Sequence, residues 1–244
     1  SIRPPRHLHA LSTFVEYYHN EKYNYNFRQN LALNYASYTG YNLFADKNEQ
    51  GVFAQKPIGS YAQPFKGVYN GGSRSIEGVA FYAPQDTKPY YAGLFGYSEG
   101  LLRDIVYLLD ADKNITLFNS DGSVNLYVGG LLGGNAGTVQ NCAVAGLSLN
   151  AYVFGANLYA GGLIGQNNGI VRDCGAETAD LLADNSGYAN SWLGGLVGQN
   201  TRSISNTYAV GRLSVTVDKT SAADICGFVG DNTGTISSCY AAAD

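Results

Sequence analysis

The stretch GGLIGQNNGIVRDCGAE, residues 161–177, decides the fold because the chain repeats it. GGLLGGNAGTVQNCAVA stands at 129–145, GGLVGQNTRSISNTYAV at 194–210 and CGFVGDNTGTISSCYAA at 226–242. A weaker copy, AGLFGYSEGLLRDIVYL, occupies 92–108. The second residue of the four stronger copies is a glycine, at Gly130, Gly162, Gly195 and Gly227, so the period is 32 or 33 residues. A period of that size is the mark of a repeat architecture.

The columns of this alignment carry the reading. Leu94, Leu131, Leu163, Leu196 and Phe228 form one apolar column, and Phe95, Leu132, Ile164, Val197 and Val229 the next. Gly96, Gly133, Gly165, Gly198 and Gly230 follow, and then Asn135, Asn167, Asn200 and Asn232 two residues later. Further on come Leu102, Val139, Val171, Ile204 and Ile236, and after a gap of three Ile105, Cys142, Cys174, Thr207 and Cys239. Residues three apart on one straight strand face opposite sides. Two apolar columns at that gap share an interior only if the chain bends between them. The residue in the gap is Asp104, Asn141, Asp173, Asn206 or Ser238. Such side chains bond to nearby backbone, and Asn and Asp tolerate left-handed conformations, so a corner is expected there.

A helix is excluded, because each interior glycine costs about 1 kcal/mol against alanine and every copy carries several. A strand–corner–strand unit stacked on copies of itself is a β-solenoid. Equivalent residues then lie about 4.8 Å apart in ladders, so one residue type suits one slot on every coil. The asparagines are expected to form an amide ladder at a turn and the cysteines a buried stack. The intervening stretch, such as LSLNAYVFGANLY at 147–159, is expected to add a strand with a variable loop, and Asn185 is placed in such a loop.

The chain is divided at 1–89 and 90–244. In the first part, HLHALSTFVEYYHN at 7–20 sets Leu8, Leu11, Phe14, Val15 and Tyr18 at helical spacing. This amphipathic helix is expected to cap the solenoid, whose open end exposes strand edges. PIGSYAQPFKGVYNGGSRSIEGVAFY, at 57–82, reads as strands that begin the solenoid, making one continuous body with the repeats.

Net charge is −4, which gives no electrostatic case for nucleic acid or an anionic membrane. No apolar run approaches the roughly 18 residues of a membrane span. The first residues lack the layout of a signal peptide, and methionine is absent throughout. The chain therefore reads as a mature segment or a piece of a longer one. It stops at ISSCYAAAD, residues 236–244, at the end of a repeat motif, so more chain is expected to follow and the last coil to be the least protected.

The repeats resemble the GLUG family of bacterial surface proteins, whose motif runs roughly Gly-Gly-Leu-Val-Gly-x-Asn-x-Gly-x-Ile-x-Asn-Cys-Tyr-Ala. The copies at 194–210 and 226–242 fit it closely, and the lead-in from the helix through PFKGVYNGGSRSIEGV at 64–79 to GLFG at 93–96 is similar too. Two departures stand out: 31–41 lacks the acidic Asp-x-Asp-Leu element, and Thr201–Arg202–Ser203 lacks the turn glycine. The resemblance implies an all-β, right-handed parallel β-helix, exported and displayed on a bacterial cell. Such modules resemble parts of adhesins and also occur in immunoglobulin A1-specific zinc peptidases, outside the catalytic domain. No catalytic residue is carried over.

Each candidate site also has a structural reading. His7, His9 and His19 form no H-E-x-x-H motif, and a helix turns His7 and His9 to different faces. The cysteines show no metal-ligand spacing. Asp104 and Asp173 share the corner column, but Asn141 lies between them, which suits corner hydrogen bonding better than acid–base work. DADKNITLFNSD, residues 110–121, opens like a calcium loop yet carries Ile115 at the sixth place, where an EF-hand needs glycine, and Asp121 at the twelfth. The Gly-rich turns have no Lys-Ser/Thr after them and start no helix, so they are not phosphate loops. Cys142, Cys174 and Cys239 sit in one column and Cys226 replaces a glycine; in-register side chains have poor disulfide torsion, so free thiols are expected. A tyrosine-rich stretch between Tyr17 and Tyr41 has aromatic faces suited to packing or to sugars and proteins.

The repeated phrase is thus scaffolding. No catalytic, cofactor or metal residues are assigned. The expected function is a non-enzymatic surface module for adhesion or presentation, binding host protein or glycan. A carbohydrate-active β-helix enzyme and an accessory region of a surface peptidase are the alternatives.

Overall fold

The structure, a computed structural model, describes residues 2, 5–17, 25–35, 53–82, 88–112, 115–218 and 221–243. Strand makes up 62% of it beside one helix, which fixes the class as all-β. Its architecture is the expected parallel β-helix of about five turns.

Each coil has four legs, and every leg pairs in parallel with its copy on the next coil. The first leg runs through Tyr90–Ala92, Leu126–Gly129, Leu158–Gly161, Asn190–Gly194 and Ala222–Cys226. The second stacks Phe95–Ser98, Leu132–Asn135, Ile164–Asn167, Val197–Asn200 and Val229–Asn232. The third consists of the start of Leu101–Leu108 and then Thr138–Gln140, Ile170–Arg172, Ser203–Ser205 and Thr235–Ser237. The fourth consists of the end of Leu101–Leu108 and then Ala143–Phe154, Gly175–Ser186, Tyr208–Val217 and Tyr240–Ala243, with Ile115–Asn119 paired to Ala143–Phe154.

The sequence columns are the rungs of this stack. Leu132 faces Ile164, Ile164 faces Val197 and Val197 faces Val229. Leu94, Leu131, Leu163 and Leu196 are wholly buried in one core that runs the length of the coils. Burial of one such side chain is worth roughly 1.5–3 kcal/mol, and each rung repeats it. The invariant glycine has a packing cause. A Cβ on Gly165 would meet Val128 N at 2.5 Å and Gly133 O at 2.7 Å, both backbone atoms of the preceding coil. No side chain fits there.

The corner expected between the two apolar columns is present on every coil. Asp104, Asn141, Asp173, Asn206 and Ser238 have φ of 56°, 51°, 56°, 51° and 53°. One left-handed residue re-aims the chain so that Val171 and Cys174 both point inward and are buried. The amide ladder is present too. Asn135 Nδ2 donates to Asn167 Oδ1 at 2.8 Å, Asn167 to Asn200 at 2.7 Å, and Asn200 to Asn232 at 2.7 Å.

The helix spans Pro5–Tyr17. Leu8, Leu11 and Val15 are buried in the same core as the coils, with Phe14 packed against it. Proline at the first helical position has no amide hydrogen to leave unpaired. The lead-in is a parallel continuation of the stack: Asn26–Arg28 and Leu33–Asn34 pair with Val68–Glu77, which pairs with Leu101–Leu108. Tyr18 and His19, expected in the helix, lie outside the described residues. Asn185 departs from expectation. It belongs to the strand Gly175–Ser186, is fully buried, and its Nδ2 donates to Ser191 Oγ at 2.8 Å. Its fourth leg carries an irregularity between Thr178 and Leu181, which breaks the alternation from which its side could have been counted.

Candidate functional site

Of the residues considered for acid–base or metal roles, His7 and His9 lie on the helix and Asp104 and Asp173 at corners two coils apart; His19 lies outside the described residues. His7 is exposed and His9 half-buried on the helix, where burial lowers the pKa of His9. Among the described residues no group of three or more His, Cys, Asp or Glu could hold a metal ion. In the corner column Asn141 Nδ2 donates to Asp104 Oδ1 at 2.7 Å and Asn206 Nδ2 to Asp173 Oδ1 at 3.3 Å. Asp104 and Asp173 are each engaged by an amide of the following coil, and Asn141 stands on the coil between them.

In the segment 110–121, Asp110 accepts the backbone N–H of Asp112 at 3.2 Å. Asp121 accepts the N–H of Ser123 at 3.1 Å and its hydroxyl at 2.6 Å, and pairs with Lys88. The Lys88 hydrogen bond, with the two from Ser123, holds the Asp121 carboxyl down at about 2. This is turn chemistry and a surface ion pair. The Gly-rich turns likewise have no free anion cradle: the N–H groups of Gly137, Gly169 and Arg202 donate to the ladder asparagines.

All four cysteines are free. Cys142 and Cys174 are buried neighbours, with the Cys142 N–H directed at Cys174 Sγ at 3.4 Å. Burial pushes the Cys142 thiol well up, which suppresses thiolate and reactivity. Of the tyrosine-rich stretch, Tyr17, Tyr25 and Tyr35 are described. Tyr35 is buried and bonds Gln55 Oε1 at 3.2 Å, and Tyr25 packs edge-on to Phe14 at 4.7 Å. Tyr17 is exposed. Tyr18, Tyr23, Tyr38 and Tyr41 lie outside the described residues.

Two aromatic features were missed in the sequence. The first is a ladder on the outer side of the first leg. Tyr91, Tyr127, Tyr159 and Trp192 stack with centroids 4.7, 4.9 and 4.6 Å apart and planes within 13° of parallel. Beside it, on the second leg, Tyr91 Oη donates to Gln166 Oε1 at 3.0 Å, Gln166 to Gln199 at 2.8 Å and Gln199 to Asp231 at 2.9 Å. A Cβ on Gly134 would lie 2.5 Å from the rings of both Tyr91 and Tyr97, so those rings fill its place. The three tyrosines of the ladder are buried. This is a second, exterior core. Its signal was an aromatic residue two places before the paired glycines of successive repeats.

The second feature is open. On the outer side of the fourth leg Phe118 and Tyr152 stack at 5.1 Å and 14°. Phe154 is 60% exposed, and a Cβ on Gly187 would meet its ring at 3.2 Å. In the register of the sheet Asp184 follows Tyr152 and Ser186 follows Phe154. These residues, with Asn119, Ser120 and Val153, border a shallow cavity of about 250 Å³; the Asn119 side chain itself is buried, its Nδ2 donating to Val124 O at 2.7 Å. It joins aromatic surface to carboxylate and hydroxyl groups, and it lies in the leg that differs most between repeats. No protein-family model, curated protein or solved structure matches this chain.

Proposed function

We propose that the chain is a non-enzymatic module of a bacterial cell-surface protein of the GLUG type, serving adhesion or presentation through contact with host protein or glycan. One observation carries this reading. The repeated residues are consumed in buried ladders and corners, while the open chemistry gathers on the fourth leg as an aromatic surface with polar neighbours. Hydrolysis or elimination needs an acid and a base held together in a groove. The carboxylates of the corner column are instead bonded to corner amides of the next coil, Asp104 lying also 3.9 Å from Arg103 Nε. The motif resemblance supports an extracellular setting, and among the described residues no helix is long and apolar enough to cross a membrane.

The test has two arms. Purified chain incubated with pectin, alginate, hyaluronan and immunoglobulin A is expected to give no products. Beads coated with the chain are expected to be retained on host-cell or mucin surfaces above uncoated beads. Turnover abolished by a single Asp or Glu substitution, or retention no better than the uncoated control, overturns the reading.

A further inference from the structure

We infer that the cavity beside Tyr152 and Phe154 is a carbohydrate-binding site that takes a neutral pyranose of a host or environmental glycan; this rests on the reading of the chain as a binding module. The argument begins with the stack. Parallel coils repeat about every 4.8 Å, which suits face-to-face aromatic rungs. Phe118 and Tyr152 make two such rungs, and the next rung in register is Asp184. A carboxylate side chain is shorter and thinner than an aromatic ring, so the ladder stops and leaves one face of Tyr152 without a protein ring to stack on. Phe154, one rung-row along the same strand, projects beside Ser186 and rests against Gly187.

A pyranose ring matches this arrangement. One of its faces carries axial C–H groups with partial positive charge, which pack on the negative face of an aromatic ring. Its rim carries hydroxyls, which need acceptors and donors placed beside the ring. Asp184 supplies a strong acceptor and Ser186 a group that both donates and accepts. The charge decides the class of sugar. Asp184 is the charged group lining the cavity, and among the described residues no lysine or arginine lines it, while the whole chain carries −4. Uronates and sialates would meet repulsion without compensation, so the glycan is neutral. In the other ladder the rings of Tyr91, Tyr127 and Tyr159 are buried between their neighbours and beside a glutamine row, so their faces are not open to a ligand.

The experiment titrates gluco-, galacto-, manno- and N-acetylhexosamine oligosaccharides, with hyaluronan and sialyllactose as anionic probes, into the chain by calorimetry and saturation-transfer NMR. At least one neutral oligosaccharide is expected to bind, and the anionic probes not at all. Phe154→Ala and Tyr152→Ala are each expected to weaken that binding about tenfold, Phe154→Trp to retain it, and Tyr61→Ala, an exposed tyrosine elsewhere, to leave it unchanged. Circular dichroism confirms that each variant is folded. Preference for the anionic probes, binding insensitive to Phe154 and Tyr152, or no binding by any oligosaccharide overturns the assignment. The bead assay separates the two readings. If no sugar binds yet retention on host cells persists, the carbohydrate site is refuted and the adhesive module stands; if retention also fails, both fall.

Discussion

Replacement of Asn167 by alanine tests whether the repeated asparagine is a load shared along the stack or a local turn residue. Asn167 is fully buried and makes three strong contacts: it accepts from Asn135 Nδ2 at 2.8 Å, donates to Asn200 Oδ1 at 2.7 Å, and accepts from the Gly169 N–H at 3.1 Å. Each hydrogen bond is worth about 1 kcal/mol net, and a buried group left without a partner costs about 1–3 kcal/mol. Asn135 Nδ2 retains a weaker acceptor in Ile170 O at 3.4 Å, which softens one of the three losses. The expected destabilisation is about 3–5 kcal/mol. Asn232 stands on the last coil, is exposed, and accepts from Asn200 at 2.7 Å. Water replaces it, so Asn232→Ala is expected to cost about 1 kcal/mol or less. Urea denaturation followed by far-ultraviolet circular dichroism measures both at matched m-value. Asn167→Asp adds a sign test. The new carboxylate still accepts from Asn135 and Gly169 but faces the acceptor Oδ1 of Asn200, so protonation in acid is expected to recover part of the loss. Equal losses from Asn167→Ala and Asn232→Ala would refute the ladder as a source of stability.

Leu163→Asp places a charge in the buried leucine column and is expected to cost about 4 kcal/mol, whereas Asn185→Ala, which gives up one buried hydrogen bond to Ser191, is expected to cost about 1 kcal/mol; equal shifts in melting temperature would contradict the assigned interior. Tyr159 has its pKa raised to about 12, first by burial and then by Tyr127 and Asp231. A raised tyrosine stays protonated in the folded state after the unfolded chain has ionised, so its contribution is complete below pH about 10 and is lost as pH rises towards 12. Ultraviolet titration is expected to show this tyrosine ionising later than Tyr159→Phe-insensitive surface tyrosines, and ionisation near pH 10 would count against the sealed ladder. In hydrogen exchange the amides of 227–241 are expected to exchange faster than those of 162–176, because among the described residues no strand pairs with the outer edge of that coil and Ile225, Ile236 and Tyr240 are exposed there; slow exchange at that edge in a demonstrated monomer would contradict this.

What the sequence disclosed follows from the geometry of a parallel stack. Each slot presents the same environment on every coil, so Leu163, Gly165, Asn167, Val171, Asp173 and Cys174 repeat as types and can be read as columns. The corner was legible because one apolar spacing of three is impossible on a straight strand, and the positive φ of Asp173 is the physical resolution of that conflict. Asn185 was misplaced because counting fails past the irregularity near Thr178, where the strand no longer alternates regularly. The Tyr91–Tyr127–Tyr159–Trp192 ladder went unread for a different reason. Its rungs share aromaticity rather than identity, and on the last coil the slot holds Asp224, so the column looks variable beside the glycines. The fourth-leg cavity was beyond column logic altogether, because it exists where a column is broken.

That last point bears on where function can reside in such a chain. A residue in the inner ladders is constrained by neighbours above and below, and a change there disturbs two interfaces at once. Leu163 and Asn167 are of this kind, since each is sandwiched between coils. An outward residue of the fourth leg packs against fewer neighbours and faces water, so its side chain can change at less cost to the stack. Tyr152 and Asp184 occupy the same slot on successive coils, yet one extends an aromatic stack and the other ends it. The coils set the spacing, and the departure from repetition makes the recess. Recognition in this architecture is therefore written as a difference between adjacent rungs, which a stack of identical repeats could not provide.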